Sequence, residues 1–224
     1  MIMKKMVCLL LVLFLIVSFV SCGSSNDAIQ SNTTNQDKGI NVGDTVELGY
    51  YGDDNLTEKI YDYMREDNDT IDWSIPIVWE VVDYDSEHNL LTLLSIKGLW
   101  KQKRSWGGLE NDYLKSDEME FFIKNAFSEE QRNHMGYWTI NTAAESHDYN
   151  IMIPFIDDIR AWYSTSNERK CYNIEAEPCS YWLLGDSVVL ENGDIEYVTG
   201  HGDTVEGYIR PMILIDKDYV DSFL

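Results

Sequence analysis

Apolar and polar positions divide the chain into three stretches. Residues 6–20 form one short apolar run behind Lys4 and Lys5. Residues 23–41 are almost wholly polar and hold too few apolar side chains to build a core. From Val42 onward, aromatic and β-branched residues recur with periods that predict strands and helices. Val46-Glu47-Leu48-Gly49-Tyr50 alternates as a half-buried strand does. Ile77 to Tyr84 reads as a buried strand, and Leu90 to Ile96 as its antiparallel partner across the turn at residues 85–89. Between the first two of these strands, Asp53 to Asp72 is acidic and weakly patterned, an insertion on the surface. Its D-N-D-T-I-D run lacks the Gly and the distal Glu of a calcium-binding EF-hand loop, which excludes that motif.

A helix is predicted over Asp117–Ala126, where Met119, Phe122, Ile123 and Ala126 share one face. Ser128-Glu129-Glu130-Gln131 matches a capping box and starts a second short helix reaching about Met135. Pro154 suits the first turn of a third, Phe155 to Tyr163, with Ile156, Ile159 and Tyr163 inward. The last third is strand-rich. Val188-Val189-Leu190 and Ile195-Glu196-Tyr197-Val198 flank Asn192-Gly193, whose positive φ angles suit a type I′ hairpin turn. Gly200-His201-Gly202-Asp203 offers another turn, and Gly207 to Ile215 reads as one closing strand with an edge or bulge at Pro211. Strands, then helices, then an antiparallel meander define an α+β fold in a single domain over residues 42–224.

The first stretch changes the picture of where such a domain works. A basic start, an apolar run of about fifteen residues and small residues before a cleavage point form an export signal over residues 1–21. The run falls short of the roughly twenty residues that span a bilayer. Phe19-Val20-Ser21-Cys22 resembles the lipobox of bacterial lipoproteins, with Phe19 where Leu is usual, and makes Cys22 the lipidated residue. Durable anchoring takes two or more acyl chains, because each buried methylene adds only about 0.8 kcal/mol. Residues 22–41 would then be a polar tether reaching on the order of 25 Å. The chain would sit on the outer side of the cytoplasmic membrane or on another envelope leaflet.

Charge narrows the partners. The chain has 17 basic and 39 acidic residues. Loss of Lys4 and Lys5 with the signal leaves 15 against 39, a balance of −24. That excludes a nucleic-acid partner, which needs clustered Lys and Arg, and disfavours direct contact with anionic lipid. Solubility and mutual repulsion are the plain consequence of such acidity. Of the 4 cysteines, Cys8 leaves with the signal and Cys22 is acylated, so Cys171 and Cys179 remain. In an exported chain they are a candidate disulfide worth roughly 2–3 kcal/mol in the chain-entropy model. Two buried free thiols are the alternative.

No motif for catalysis stands out. G-x-S-x-G and H-E-x-x-H are absent, and Gly185-Asp186-Ser187 sits at the head of a late strand rather than in a hydrolase's first block. His88, His134, His147 and His201 are scattered in polar or turn settings and read as solvated. Asp157 and Asp158 diverge by about 100° on a helix and form no dyad unaided. Glu191, Asp194 and Asp203 read as a solvated acidic rim; calcium there is conceivable, but no metal or other cofactor is predicted. Trp79 and Trp182 lie in apolar strand contexts and belong to the core. Arg210, between Ile209 and Pro211, should be buried and paired with a carboxylate or with carbonyl oxygens. Trp100 and Trp106 bracket Lys101, Lys103 and Arg104, a basic cluster read as an exposed loop and the leading ligand-contact candidate.

Six short matches in order resemble a bacterial and phage family known only as a domain of unknown function: Gly43-Asp44-Thr45-Val46, Ile77-Val78-Trp79-Glu80-Val81-Val82-Asp83, Asn125-Ala126-Phe127-Ser128-Glu129-Glu130, Arg169-Lys170-Cys171, Tyr181-Trp182-Leu183-Leu184 and Ile209-Arg210-Pro211-Met212. They span nearly the whole domain. The family's R-S-P after the tryptophans is replaced here by Leu184-Gly185-Asp186. The closing W…G…R-P arrangement also looks like the C-type-lectin-like fold, an analogy that carries no function by itself. Together these features lead to an expected non-catalytic binding module for a glycan or protein ligand, with a cell-envelope enzyme, cation-dependent through its acids, as the alternative.

Overall fold

A computed structural model describes residues 39–52, 73–104, 113–114, 116–141, 145–198 and 205–224. The expected export signal, most of the expected tether, the expected acidic insertion after Gly52, Trp106 and the expected turn at residues 200–203 lie outside the described residues. The folded unit begins at Gly39, ahead of the expected boundary at Val42. Ile40 is buried, and its backbone N–H donates to Asp221 Oδ1 at 2.8 Å, which ties the entry of the chain to its last helix.

In chain order the strands are β1 (Thr45–Tyr51), β2 (Ile75–Asp85), β3 (Leu90–Ser95), β4 (Lys97–Gly98) and β5 (Trp100–Arg104). Helices α1 (Asp117–Ala126) and α2 (Glu129–Asn133) follow, then β6 (Trp138–Asn141), β7 (Ser146–Tyr149) and β8 (Ile151–Met152). Helices α3 (Ile156–Trp162) and α4 (Ser166–Arg169) precede β9 (Cys171–Asn173), β10 (Pro178–Cys179), β11 (Tyr181–Trp182), β12 (Ser187–Val189) and β13 (Ile195–Tyr197). The chain closes with β14 (Val205–Ile209), β15 (Met212–Asp216) and α5 (Lys217–Asp221). This is the α+β architecture expected.

One five-stranded sheet runs β1-β2-β3-β15-β8, antiparallel throughout. A second runs β13-β12-β11-β14-β5, with β11 and β14 parallel and the other neighbours antiparallel. A small sheet, β10-β9-β4, and the β6–β7 hairpin complete the set among the described residues. Gly207 to Ile215 is therefore not one closing strand. The chain leaves the second sheet after Ile209 and enters the first at Met212, so Arg210-Pro211 is the crossing between two sheets. Pro211, which has no N–H, still accepts from the Ser95 N–H at 3.0 Å.

Most predicted elements have a local cause that holds. Ser116 caps α1, its hydroxyl accepting from Met119 N, and the helix buries Met119, Phe122 and Ala126. Phe122 stacks obliquely on Trp100 at 4.8 Å and meets Phe127 edge-on at 5.9 Å. The Ser128–Gln131 capping box forms with both bonds present. Pro154 stands outside α3 rather than in its first turn, and the Asp158 carboxylate accepts from Phe155 N at 2.8 Å instead. Burial raises the Asp158 pKa above the usual carboxylate value, against that hydrogen bond.

The β12–β13 turn also departs from expectation. Only Gly193 has positive φ there (84°), so Asn192 does not adopt a type I′ conformation. Leu190 and Asp194 bracket the turn through Gly193 N→Leu190 O and Leu190 N→Asp194 O, both 2.8 Å, the bulged three-residue form. The reason lies outside the hairpin, because Ser166 of α4 lies directly against Gly193, leaving no room for a Cβ.

Candidate functional site

The sheet crossing creates a buried polar centre. Arg210 is 4% exposed, and its Nε donates to the Ser95 carbonyl at 2.6 Å. One Nη donates to the Tyr163 hydroxyl at 3.4 Å, and that hydroxyl donates to Glu80 Oε2 at 2.5 Å. Glu80 itself stands 4.0 Å from the guanidinium. The guanidinium also lies 5.6 Å from the Tyr163 ring and 5.3 Å from the Tyr181 ring, over their faces. The expected buried and paired arginine is present. It joins β2, β3, β11 and the end of α3 at one point.

Burial opposes the charge of Arg210, but Cys171, Tyr181 and Tyr163 around it hold the proton on, above the usual arginine value. Burial likewise raises Tyr163, and pushes Tyr181 up to about 12. Among the described residues the other Nη of Arg210 and the Tyr181 hydroxyl find no hydrogen-bond partner. Cys171 and Cys179 lie beside this centre, both buried and both thiols. Cys171 is 1% exposed, which withdraws it from any role as a nucleophile toward an external substrate in this state. Ser187, the serine of Gly185-Asp186-Ser187, is likewise buried in β12.

The basic cluster is not a loop. Trp100 to Arg104 forms β5, the edge strand of the second sheet, paired with β14 in register Trp100↔Ile209 through Arg104↔Val205. Alternation then decides each side chain. Trp100 is fully buried, with its Nε1–H donating to the Tyr113 hydroxyl at 3.1 Å, so it cannot serve as an exposed ligand contact. Gln102 is buried too, donating to Glu118 Oε2 at 2.7 Å, where the Tyr113 hydroxyl also donates at 2.7 Å. Lys101 and Lys103 point outward, Lys101 lying 3.8 Å from Glu206 and 5.6 Å over the Tyr208 ring. Lysines on an edge strand discourage pairing with a second sheet, which gives them a role without a ligand. Trp79 and Trp182 are fully buried, donating to the carbonyls of Leu48 (2.7 Å) and Gln102 (3.0 Å).

An open groove lies elsewhere. α1 and the β7–β8 segment enclose a volume of about 320 Å³ lined by Leu114, Glu120, Ile123, His147, Asp148, Tyr149, Asn150 and Ile151. That is the lower end of the range for small-ligand sites. Glu120, Asp148 and Asn150 are exposed at its rim, while Leu114, Tyr149 and Ile151 are buried in its floor. His147 is half-buried, with its Nε2 against a carboxylate oxygen of Glu145. Asp148 accepts from the Thr139 hydroxyl at 2.7 Å, and the Asn150 amide nitrogen donates to the Gly136 carbonyl at 3.1 Å. Of these residues the sequence points to His147, as solvated, and to Ile123, as part of the apolar face of α1. The alternation Ser146-His147-Asp148-Tyr149-Asn150 is the one signal that could have led there.

The remaining histidines are occupied locally. His88 Nδ1 pairs with Asp85 Oδ2 at 2.7 Å in the β2–β3 turn, and His134 stacks on Tyr219 at 4.2 Å. His201 lies outside the described residues. Asp194 bonds Ser166 and Asn192 and, like Glu191, is exposed, as the expected solvated rim requires, while Asp203 lies outside the described residues. Among the described residues no three His, Cys, Asp or Glu side chains gather as a metal site would require. No described helix is long and apolar enough to cross a membrane. No family model, no curated protein and no solved structure matches the chain.

Proposed function

We propose that the chain is an exported lipoprotein anchored through a lipid on Cys22, and that its folded unit is a non-catalytic binding module for a glycan of the cell envelope. The observation that carries the binding half is the groove between α1 and β7–β8. The exposed residues Glu120, Asp148 and Asn150 line it together with the apolar residues Leu114, Ile123 and Ile151. A saccharide offers hydroxyl donors to such a rim and C–H faces to such a floor. A phosphate or other anion is repelled by the same carboxylates. The anchoring half is supported by Lys4-Lys5, the short apolar run and Ser21-Cys22.

Titrating the full chain in detergent with soluble fragments of cell-wall glycan tests this reading. Saturable binding is expected, weakened at least tenfold by Glu120→Ala and by Asp148→Asn, a loss of about 1.4 kcal/mol. Glu120 lies on the exposed face of α1, so its removal leaves the fold intact. Binding that both substitutions leave unchanged would move the site elsewhere, and cleavage of the glycan would replace the module with the envelope enzyme.

A further inference from the structure

The thiols of Cys171 and Cys179 are placed for a bond that their positions in the sequence leave open. β9 and β10 are antiparallel, and the register puts Cys179 directly opposite Cys171. Opposed residues in such a ladder have Cα atoms roughly 4.5–5.5 Å apart. A disulfide spans Cα separations of about 4.4–6.8 Å, so bridging needs no movement of the strands. In the reduced chain the Cys171 thiol donates to the Ile96 and Tyr172 carbonyls at 3.9 and 3.5 Å, and both sulfurs are buried between β9 and β10.

The turn between them is fixed independently of any bridge. Asn173 N donates to the Glu177 carbonyl at 2.9 Å, and Asn173 Oδ1 accepts from the backbone N–H groups of Glu175 (3.0 Å) and Glu177 (2.9 Å). On the other side, Gly98 of β4 packs so closely that a Cβ there would stand 3.2 Å from the Cys179 sulfur. The pair is held in a closed slot. β10 is two residues long at the edge of its sheet, so few ladder hydrogen bonds hold it. A covalent link has the most to add at such a place.

We propose that Cys171 and Cys179 form a cross-strand disulfide that fastens β10 to β9 beside the Arg210 centre. The chemistry is thiol–disulfide exchange with an external disulfide, RSSR, such as a low-molecular-weight disulfide or an exported oxidoreductase. The Cys171 thiolate attacks one sulfur of RSSR and releases RS⁻. The Cys179 thiolate then attacks the Cys171 sulfur of the mixed disulfide and releases the second RS⁻. Two protein thiols and RSSR thus become one protein disulfide and two RSH, and the two electrons pass to the external pair. Either thiol can attack first, because the folded-state surroundings that set the two apart are lost while β10 is lifted. Both sulfurs are shielded in the folded state, so exchange occurs while β10 is lifted, during folding or local opening.

The proposal rests on the export reading only for the source of oxidant in the cell, and the test separates the two. The full chain in detergent is unfolded in reductant, refolded with excess oxidised glutathione, acid-quenched, alkylated and cleaved after glutamate. Cleavage after Glu175 separates the two cysteines, so their peptides stay joined only through a disulfide. Joined peptides are expected, with a Tm about 5–10 °C above that of the reduced chain. Alkylation of both cysteines, or glutathione adducts without joined peptides, would overturn the pairing. A disulfide formed in vitro but absent from the chain in cells would count against export and leave the pairing standing.

Discussion

Arg210 Nε donates a 2.6 Å hydrogen bond to the backbone carbonyl of Ser95, a residue 115 positions earlier in the chain. The bond joins the end of β3 to the point where the last strand pair changes sheets. A backbone acceptor cannot be lost by mutation, so the strength of this tie depends on the arginine alone. Removing one member of a buried charged group costs about 3–5 kcal/mol, because the partners are left desolvated. Arg210→Ala should therefore lower the urea midpoint strongly or prevent folding. Arg210→Lys keeps the charge but has no planar fork to reach Ser95 and Tyr163 together, and should lose more than half as much. Tyr163→Phe, which cuts the relay to Glu80, should cost about 1–3 kcal/mol. Tryptophan fluorescence in urea reads all three; a wild-type midpoint for Arg210→Ala would show that the crossing is held by packing alone.

Trp100 and its lysine neighbours should separate cleanly on mutation. Trp100 is fully buried against Phe122, and truncating such a side chain costs about 3–5 kcal/mol. Lys101→Ala and Lys103→Ala, on the outer face of the same strand, should each change stability by under about 0.5 kcal/mol. If the lysines guard the sheet edge, replacing both with Val should produce concentration-dependent association in sedimentation while the monomer stays folded. A stable Trp100→Ala chain would restore the exposed reading of this segment.

The contrast at β5 shows which features were legible and why. α1 was legible because the spacing of Met119, Phe122, Ile123 and Ala126 is a local pattern that needs no distant partner. Arg210 was legible because a lone cation between Ile209 and Pro211, in an apolar strand, has to find partners. Trp100 was misplaced because net charge drew attention to Lys101, Lys103 and Arg104, although W-K-Q-K-R alternates as a strand does. The split of Gly207–Ile215 was not legible. It is decided by pairing β14 with β5 and β15 with β3, partners more than a hundred residues earlier. The groove was hidden for a related reason: α1 and β7–β8 contribute to it, and neither segment carries a motif on its own.

The His88–Asp85 pair in the β2–β3 turn sets a pH dependence with a definite sign. The Asp85 hydrogen bond, followed by its charge, raises His88 above its ordinary 6.5. The His88 hydrogen bond leads the causes that lower Asp85 below 3.8. Raised His88 contributes fully below 6.5 and loses its contribution as pH rises through the folded midpoint. Lowered Asp85 contributes above 3.8 and loses it as pH falls through its own midpoint. The turn is thus tightest between those ordinary values. NMR titration should place the His88 midpoint above 6.5, and Asp85→Asn should bring it back toward 6.5, even though Glu87 alongside still favours the cation. An unshifted His88 in the unmutated chain would mean that the pair does not persist in solution.

Gly193 carries two separate constraints, and only one can be relieved by a permissive residue. Its φ of 84° lies where a side chain costs about 1–2 kcal/mol and asparagine is the best-tolerated substitute. Its second constraint is steric, since the Ser166 carbonyl occupies the space a Cβ would need. Around that contact, the Arg169 Nε donates to the Gly193 carbonyl at 2.9 Å, and the Ser166 hydroxyl donates to Asp194 at 2.7 Å. Any Cβ must push α4 off the turn and break both bonds. If conformation alone mattered, Gly193→Asn would be nearly neutral and Gly193→Ala would cost about 1–2 kcal/mol. If the contact with α4 matters as well, both should cost more than about 2 kcal/mol and by similar amounts, because each adds the same Cβ. Arg169→Ala in the Gly193→Ala background should then add less than it costs alone, since its partner has already been displaced. A double-mutant cycle on urea midpoints measures that coupling, and full additivity would show that α4 and the turn are energetically independent.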